Sequence, residues 1–132
     1  MNPIDLRIIE ESPQLICLEL VGRLSNDGWS VDWNPLVDLA GEDVYAKQVL
    51  IDLSRTTYID SSGVSWLLKS HKLFKSQGGI LVLHSASPLA AQFLNIMRME
   101  LALNIAPNEA AARQKVEGHE HSRSPEKPAE QG

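Results

Sequence analysis

The sequence predicts an α/β domain built on a mixed, mostly parallel sheet of four to five strands flanked by helices. Three features predict it. The apolar runs at residues 49–53 (VLIDL) and 80–83 (ILVL) are unbroken, as suits strands covered on both faces. Segments with apolar residues at helical spacing follow them, at residues 61–76 and again after Ser87. Strand-like and helix-like patterns alternate, which implies right-handed crossovers and parallel pairing.

Each element has its own signal. Residues 4–10 read as a short strand and Ser12-Pro13 as a turn. Residues 14–21 are strongly apolar and are expected to end at Gly22, so the first two strands form a hairpin that makes the sheet mixed. Residues 29–44 are the least regular. There Pro35, followed by Leu36-Val37-Asp38-Leu39, suggests a short helix. The strand at 49–53 runs into a polar turn, then Ile59-Asp60-Ser61-Ser62-Gly63, then the helix at 61–76 and Gly78-Gly79. Ser87 is an N-cap with Pro88 in the first helical position, and Leu89, Phe93, Leu94 and Met97 follow at helical spacing. A short strand is expected near residues 102–105, and Asn108 caps a last helix from Glu109 to Val116.

Composition narrows the function classes. The 132 residues allow one domain with a single core, expected over residues 1–116. Residues 117–132 hold no Val, Ile, Leu, Met or aromatic residue and are expected to form a disordered acidic tail. His119 and His121 in that tail read as solvated residues rather than metal ligands. The formal net charge of −5 argues against direct nucleic-acid binding, which needs clustered cations. It argues equally against docking on an anionic membrane. No apolar run approaches the roughly 18 residues of a membrane helix, and the N-terminal residues show no secretory pattern. A cytoplasmic setting is expected. Cys17, the only cysteine, lies in an apolar run and reads as a small core residue. No cofactor or metal is expected.

Chemistry concentrates at the helix that opens with Asp60-Ser61-Ser62-Gly63. A serine there sits beside free backbone N–H groups and the positive end of the helix dipole, which would stabilise a phosphate on Ser62. The competing reading is that Asp60 and Ser61 are helix caps and nothing more. On a helical wheel Val64, Leu67, Leu68, His71 and Phe74 share one face, taken as the core face. Ser62, Trp66, Lys69 and Leu73 share the opposite face, which reads as a partner surface. His71 is expected to be a core or boundary residue without chemistry.

Taken together, Gly22-Arg23-Leu24, the strand ending Ile51-Asp52-Leu53-Ser54, Ile59-Asp60-Ser61-Ser62-Gly63, Leu67-Leu68 and Gly78-Gly79 resemble the STAS domain of anti-sigma factor antagonists over about residues 4–116. The resemblance implies a STAS-like single domain that switches partners. The free form would bind an anti-sigma factor that is also a serine kinase. The kinase would phosphorylate Ser62 (Ser61 being the alternative), and a PP2C-type phosphatase would reverse the step. The resemblance implies Asp27, Asp60, Ser61, Ser62 and Gly63 as partner-binding residues, and the helical wheel adds Trp66 and Lys69. Asp27 enters as the counterpart of an acidic residue in the loop after Gly22-Arg23-Leu24. Ser65, Trp66 and the Met97-Arg98-Met99 segment depart from the family pattern.

Two rivals stand beside this reading. In the first, Ser62 is a nucleophile with His71 or His84 as base. The G-x-S-x-G elbow and a phosphate-loop glycine pattern are both absent, so no enzyme is expected. In the second, the domain is a non-phosphorylated interaction subunit of a signalling scaffold or of a membrane transport complex, such as one for lipids.

Overall fold

The computed structural model describes residues 4–26 and 34–122. The chain runs β1 (Asp5–Glu11), β2 (Leu15–Leu24), α1 (Pro35–Ala40), a 3-10 helix (Glu42–Ala46), β3 (Gln48–Asp52), β4 (Thr56–Ile59) and α2 (Ser61–Gln77). It continues with β5 (Ile80–His84), α3 (Pro88–Ile96), a 3-10 turn (Met99–Leu101), β6 (Asn104–Ala106) and α4 (Glu109–Ser122). The sheet order is β1-β2-β3-β5-β6, with β4 lying beside the end of β2. β1 is antiparallel to β2, and the other pairs are parallel.

Strand alternation divides the core. Ile16, Leu18 and Leu20 of β2, Val49 and Ile51 of β3, and Leu81 and Leu83 of β5 pack with Leu36, Trp66, Leu67, Phe74 and Leu94 from α1, α2 and α3. The alternate positions Cys17, Leu50 and Val82 face the other way, under Ala112 and Val116 of α4. Helices on both faces explain why the middle strands read as unbroken apolar runs. Cys17 is buried and free, with the Arg113 guanidinium 3.5 Å from its Sγ.

The structure corrects four expectations. β2 does not stop at Gly22. That glycine adopts φ +88, a conformation side chains rarely take, and turns the strand's last residues away from β3. Gly22, Arg23 and Leu24 then pair with Thr56, Tyr58 and Ile59, so the stretch read as a polar turn is the strand β4 and the sheet has six strands. Four residues are too few for alternation to show in the sequence, and the pairing that stabilises them is non-local. Trp66 is only 4% exposed and belongs to the core, not to a partner surface. α4 does not end at Val116 but continues to Ser122. Lack of apolar residues rules out core burial, but a helix can extend on backbone hydrogen bonds alone. His119 therefore sits on a helix, its Nε2 3.3 Å from the Gly78 carbonyl oxygen at the end of α2. The expected tail beyond Ser122 lies outside the described residues.

Candidate partner-binding site at the start of α2

The site is assembled where β2, β4 and α2 meet. Asp60 is the N-cap of α2, and its Oδ1 accepts from the Gly63 N–H at 3.0 Å. The same oxygen accepts from the Ser62 hydroxyl at 2.6 Å. Its Oδ2 accepts from the Ser25 hydroxyl at 2.9 Å and the Tyr58 hydroxyl at 3.2 Å. Partial burial pushes the Asp60 carboxyl up. The bonds from Ser62, Gly63, Ser25 and Tyr58 outweigh it and hold the pKa at about 2. The carboxylate is therefore fully ionised at neutral pH.

Ser62 is half-buried. Its hydroxyl donates to Asp60 and accepts from the backbone N–H of Asn26 at 3.0 Å. The hydroxyls of Ser25 and Ser62 lie 3.1 Å apart. Each has one proton, and each has Asp60 as an acceptor, so this contact is a packing of two hydroxyls on one carboxylate. The network ties the start of α2 to the segment leaving β2. Arg23 adds a cation next to it, its guanidinium carbon 4.1 Å from the centre of the Tyr58 ring.

Gly63 explains the close approach of these elements. A Cβ on that residue would collide with the backbone carbonyl of Leu24, so α2 can lie against the end of β2 only with glycine here. Gly63 and Ser70 are both buried, and Trp66 lies between them on the same side of the helix. The core face is thus rotated by about 60° from the wheel drawn on the large apolar residues, at roughly 100° per residue. Two small residues on one side were the signal for that rotation, because helices pack closest where side chains are smallest.

Of the expected site residues, Asp60, Ser62 and Gly63 come together in one hydrogen-bonded unit. Ser61 and Lys69 are exposed on α2, and Leu73 is exposed further along it. Trp66 is directed into the core, and Asp27 lies outside the described residues. His71 is half-buried and lines a cavity of about 520 Å³ at the far end of α2, with Lys75 and His119. His84 is buried, with Nδ1 2.8 Å from the Ser85 hydroxyl. Sequence reading assigned no role to Arg23, Ser25, Asn26 or Tyr58. Arg23 stands within Gly22-Arg23-Leu24 and Ser25 and Asn26 directly after it, whereas Tyr58 had no signal and reaches Asp60 through the strand β4, which reads as a turn in the sequence.

A family model described as "Mlab, STAS domain" matches residues 9–104. Solved structures show the same fold at low identity. A Thermotoga maritima protein, TM1081, assigned to the anti-sigma factor antagonists, is 18% identical with a TM-score of 0.68, covering 86% of this chain and 94% of that one. The anti-sigma factor antagonist SpoIIAA in its unphosphorylated form is 17% identical with a TM-score of 0.59, covering 86% and 97%. An anti-sigma factor antagonist from Mycobacterium paratuberculosis is 17% identical with a TM-score of 0.60, covering 86% and 94%. The family match spans most of the chain, its six-stranded sheet has the architecture of these structures, and the chain belongs to the STAS domain family.

Proposed function

We propose that this protein is an anti-sigma factor antagonist that exchanges partners according to the covalent state of Ser62. In its free form it binds an anti-sigma factor that is also a serine kinase. Phosphoryl transfer to Ser62 Oγ ends the binding, and a PP2C-type phosphatase restores the hydroxyl. The setting is the cytoplasm, and the protein acts by binding rather than as an enzyme. The carrying observation is the Ser62 hydroxyl at the first turn of α2, held at 2.6 Å by an ionised carboxylate. Likeness in fold to anti-sigma factor antagonists supports the reading.

The chemistry follows from the network. Asp60 fixes the direction of Ser62 Oγ, which positions it for an incoming phosphoryl group. Phosphorylation removes the proton that Ser62 donates and places about −1.5 to −2 charges beside the Asp60 carboxylate. Free N–H groups of the first turn tolerate the anion, so α2 need not unfold. The Asn26 N–H and the Ser25 hydroxyl, however, touch the oxygen that gains the phosphate. The segment leaving β2 must then rearrange at the same surface that a partner would cover. A non-catalytic role is supported by the partners of Ser62, which are Asp60, Asn26 and Ser25, while His84 is engaged by Ser85.

Mass spectrometry of the protein from its native cell tests the switch directly, with phosphate expected on Ser62. Ser62→Asp should weaken binding of the co-purifying partner more than about tenfold, a difference near 1.4 kcal/mol. Ser62→Ala should keep binding and lose the phosphate. Equal affinities for the two variants refute the proposal. The family match, whose description names Mlab rather than an antagonist, favours one second reading. In it the same surface binds constitutively, as a subunit of a membrane transport complex or signalling scaffold, and Asp60 and Ser62 serve as caps. An unphosphorylated Ser62 together with co-purifying transporter subunits would select it.

A further inference from the structure

We propose that Arg23 is the phosphate-receiving residue of this chain, its guanidinium pairing with the phosphate once Ser62 is phosphorylated. The inference rests on the reading of Ser62 given above and adds the group that answers the modification. Arg23 and Tyr58 stand opposite each other in the pairing of β2 with β4, and both are exposed. The guanidinium carbon lies 4.1 Å from the centre of the Tyr58 ring. The Tyr58 hydroxyl donates to Asp60 at 3.2 Å, and Asp60 accepts from Ser62 at 2.6 Å. Three short contacts therefore connect the guanidinium to Ser62 Oγ. Arg23 nevertheless makes no ion pair among the described residues, whereas Arg7, Arg55 and Arg113 are each paired with a carboxylate.

Asp60 is the reason that this cation stays unpaired beside a carboxylate. An ionised carboxylate offers about four acceptor positions. Ser62 and Gly63 occupy those of Oδ1, and Ser25 and Tyr58 those of Oδ2. No acceptor is left for Arg23, which rests over the aromatic ring instead. Phosphorylation reverses this balance. Ser62 loses the proton it donates to Oδ1, and the phosphate brings three acceptor oxygens and about −1.5 to −2 charges. The Asn26 N–H and the Ser25 hydroxyl that touch Ser62 Oγ are neutral and cannot balance that charge. A guanidinium can, because its planar fork fits phosphate oxygens through two parallel bonds. Pairing would partly neutralise the phosphate and withdraw Arg23 from the exposed surface beside Tyr58. One covalent event thus adds an anion to the face that a partner would meet and takes a cation away from it.

The test uses the full chain with phosphoserine placed at position 62 during translation, and phosphorus NMR to titrate the phosphate. A close opposite charge lowers a pKa by about 1–3, and the open site puts the effect at the low end of that range. Arg23→Gln, at an exposed position, should keep the wild-type circular dichroism and raise the second pKa of the phosphate by about 0.5 or more. Arg55→Gln removes the same charge at the other end of β4 and should move it by less than about 0.2, through screened charge alone. Arg23→Gln should also lower the urea midpoint of the phosphorylated chain more than that of the unmodified one. An unchanged phosphate pKa in folded Arg23→Gln overturns the proposal. So do equal changes in Arg23→Gln and Arg55→Gln, or a midpoint lowered equally with and without the phosphate. No kinase takes part, so these results are separate from the switch itself: a Ser62 left unmodified in the native cell refutes the switch, and an unmoved pKa refutes the role of Arg23.

Discussion

Replacing Trp66 with alanine separates a core helix face from a partner-facing one. Trp66 is 4% exposed and packs in the cluster that holds Leu67, Phe74 and the inner residues of β2, β3 and β5. Truncating a buried Trp removes its transfer free energy and leaves a cavity, together about 3–5 kcal/mol. Against a total stability of about 5–15 kcal/mol, that is a large share. For a domain of this size each kcal/mol moves the melting temperature by roughly 3–5 °C, so the variant should melt about 10–20 °C lower. Urea unfolding followed by far-UV circular dichroism is the suitable assay, because removing an indole alters the fluorescence signal itself. Lys69→Ala, on the exposed side of the same helix, is the control and should stay within about 0.5 kcal/mol of wild type. A loss below about 1 kcal/mol for Trp66→Ala, at unchanged urea dependence, would refute the packing described here.

Three further outcomes follow from the same contacts. Gly63→Ala should destabilise the fold by at least about 2 kcal/mol in the same assay, although alanine is the better helix former by about 1 kcal/mol. The new Cβ meets the Leu24 carbonyl, and a stabilised variant would show that α2 and β2 are not in close contact. The Asp60 pKa falls from 3.8 to about 2 on folding, so its stabilising contribution is complete above about pH 4 and is lost as pH falls through 2. Asp60→Asn should therefore be less stable at neutral pH, and its urea midpoint should fall less between pH 4 and pH 2 than that of wild type. Burial lowers the His84 pKa below 6.5, ahead of the opposing effect of Asp52. That contribution is present above pH 6.5 and fades as pH drops through the folded value, so the wild-type midpoint should decline below pH 6.5. His84→Gln should flatten the decline, and an equal decline in both proteins would count against a neutral, buried imidazole.

Much of the framework follows from local chemistry and was legible in the sequence. The apolar runs of β3 and β5 specify strands covered on both faces, and helical spacing with Asp60 and Ser87 as caps places α2 and α3. The Asp60-Ser61-Ser62-Gly63 segment marks the site, because a polar side chain beside free N–H groups is a local arrangement. Tertiary packing decided the rest. β4 is too short to show a pattern and exists because Gly22 turns β2 towards it. Trp66 points inward because Gly63 and Ser70 let α2 settle on that side, against a wheel drawn from the larger apolar residues. One partner of Asp60 also came from outside its own segment, since Ser25 lies 35 positions away and reaches it only once β2, β4 and α2 have converged. Periodicity reports the residues within one turn or one strand. Which way a helix rolls, and which distant hydroxyls meet a carboxylate, depend on how closely two backbones can approach.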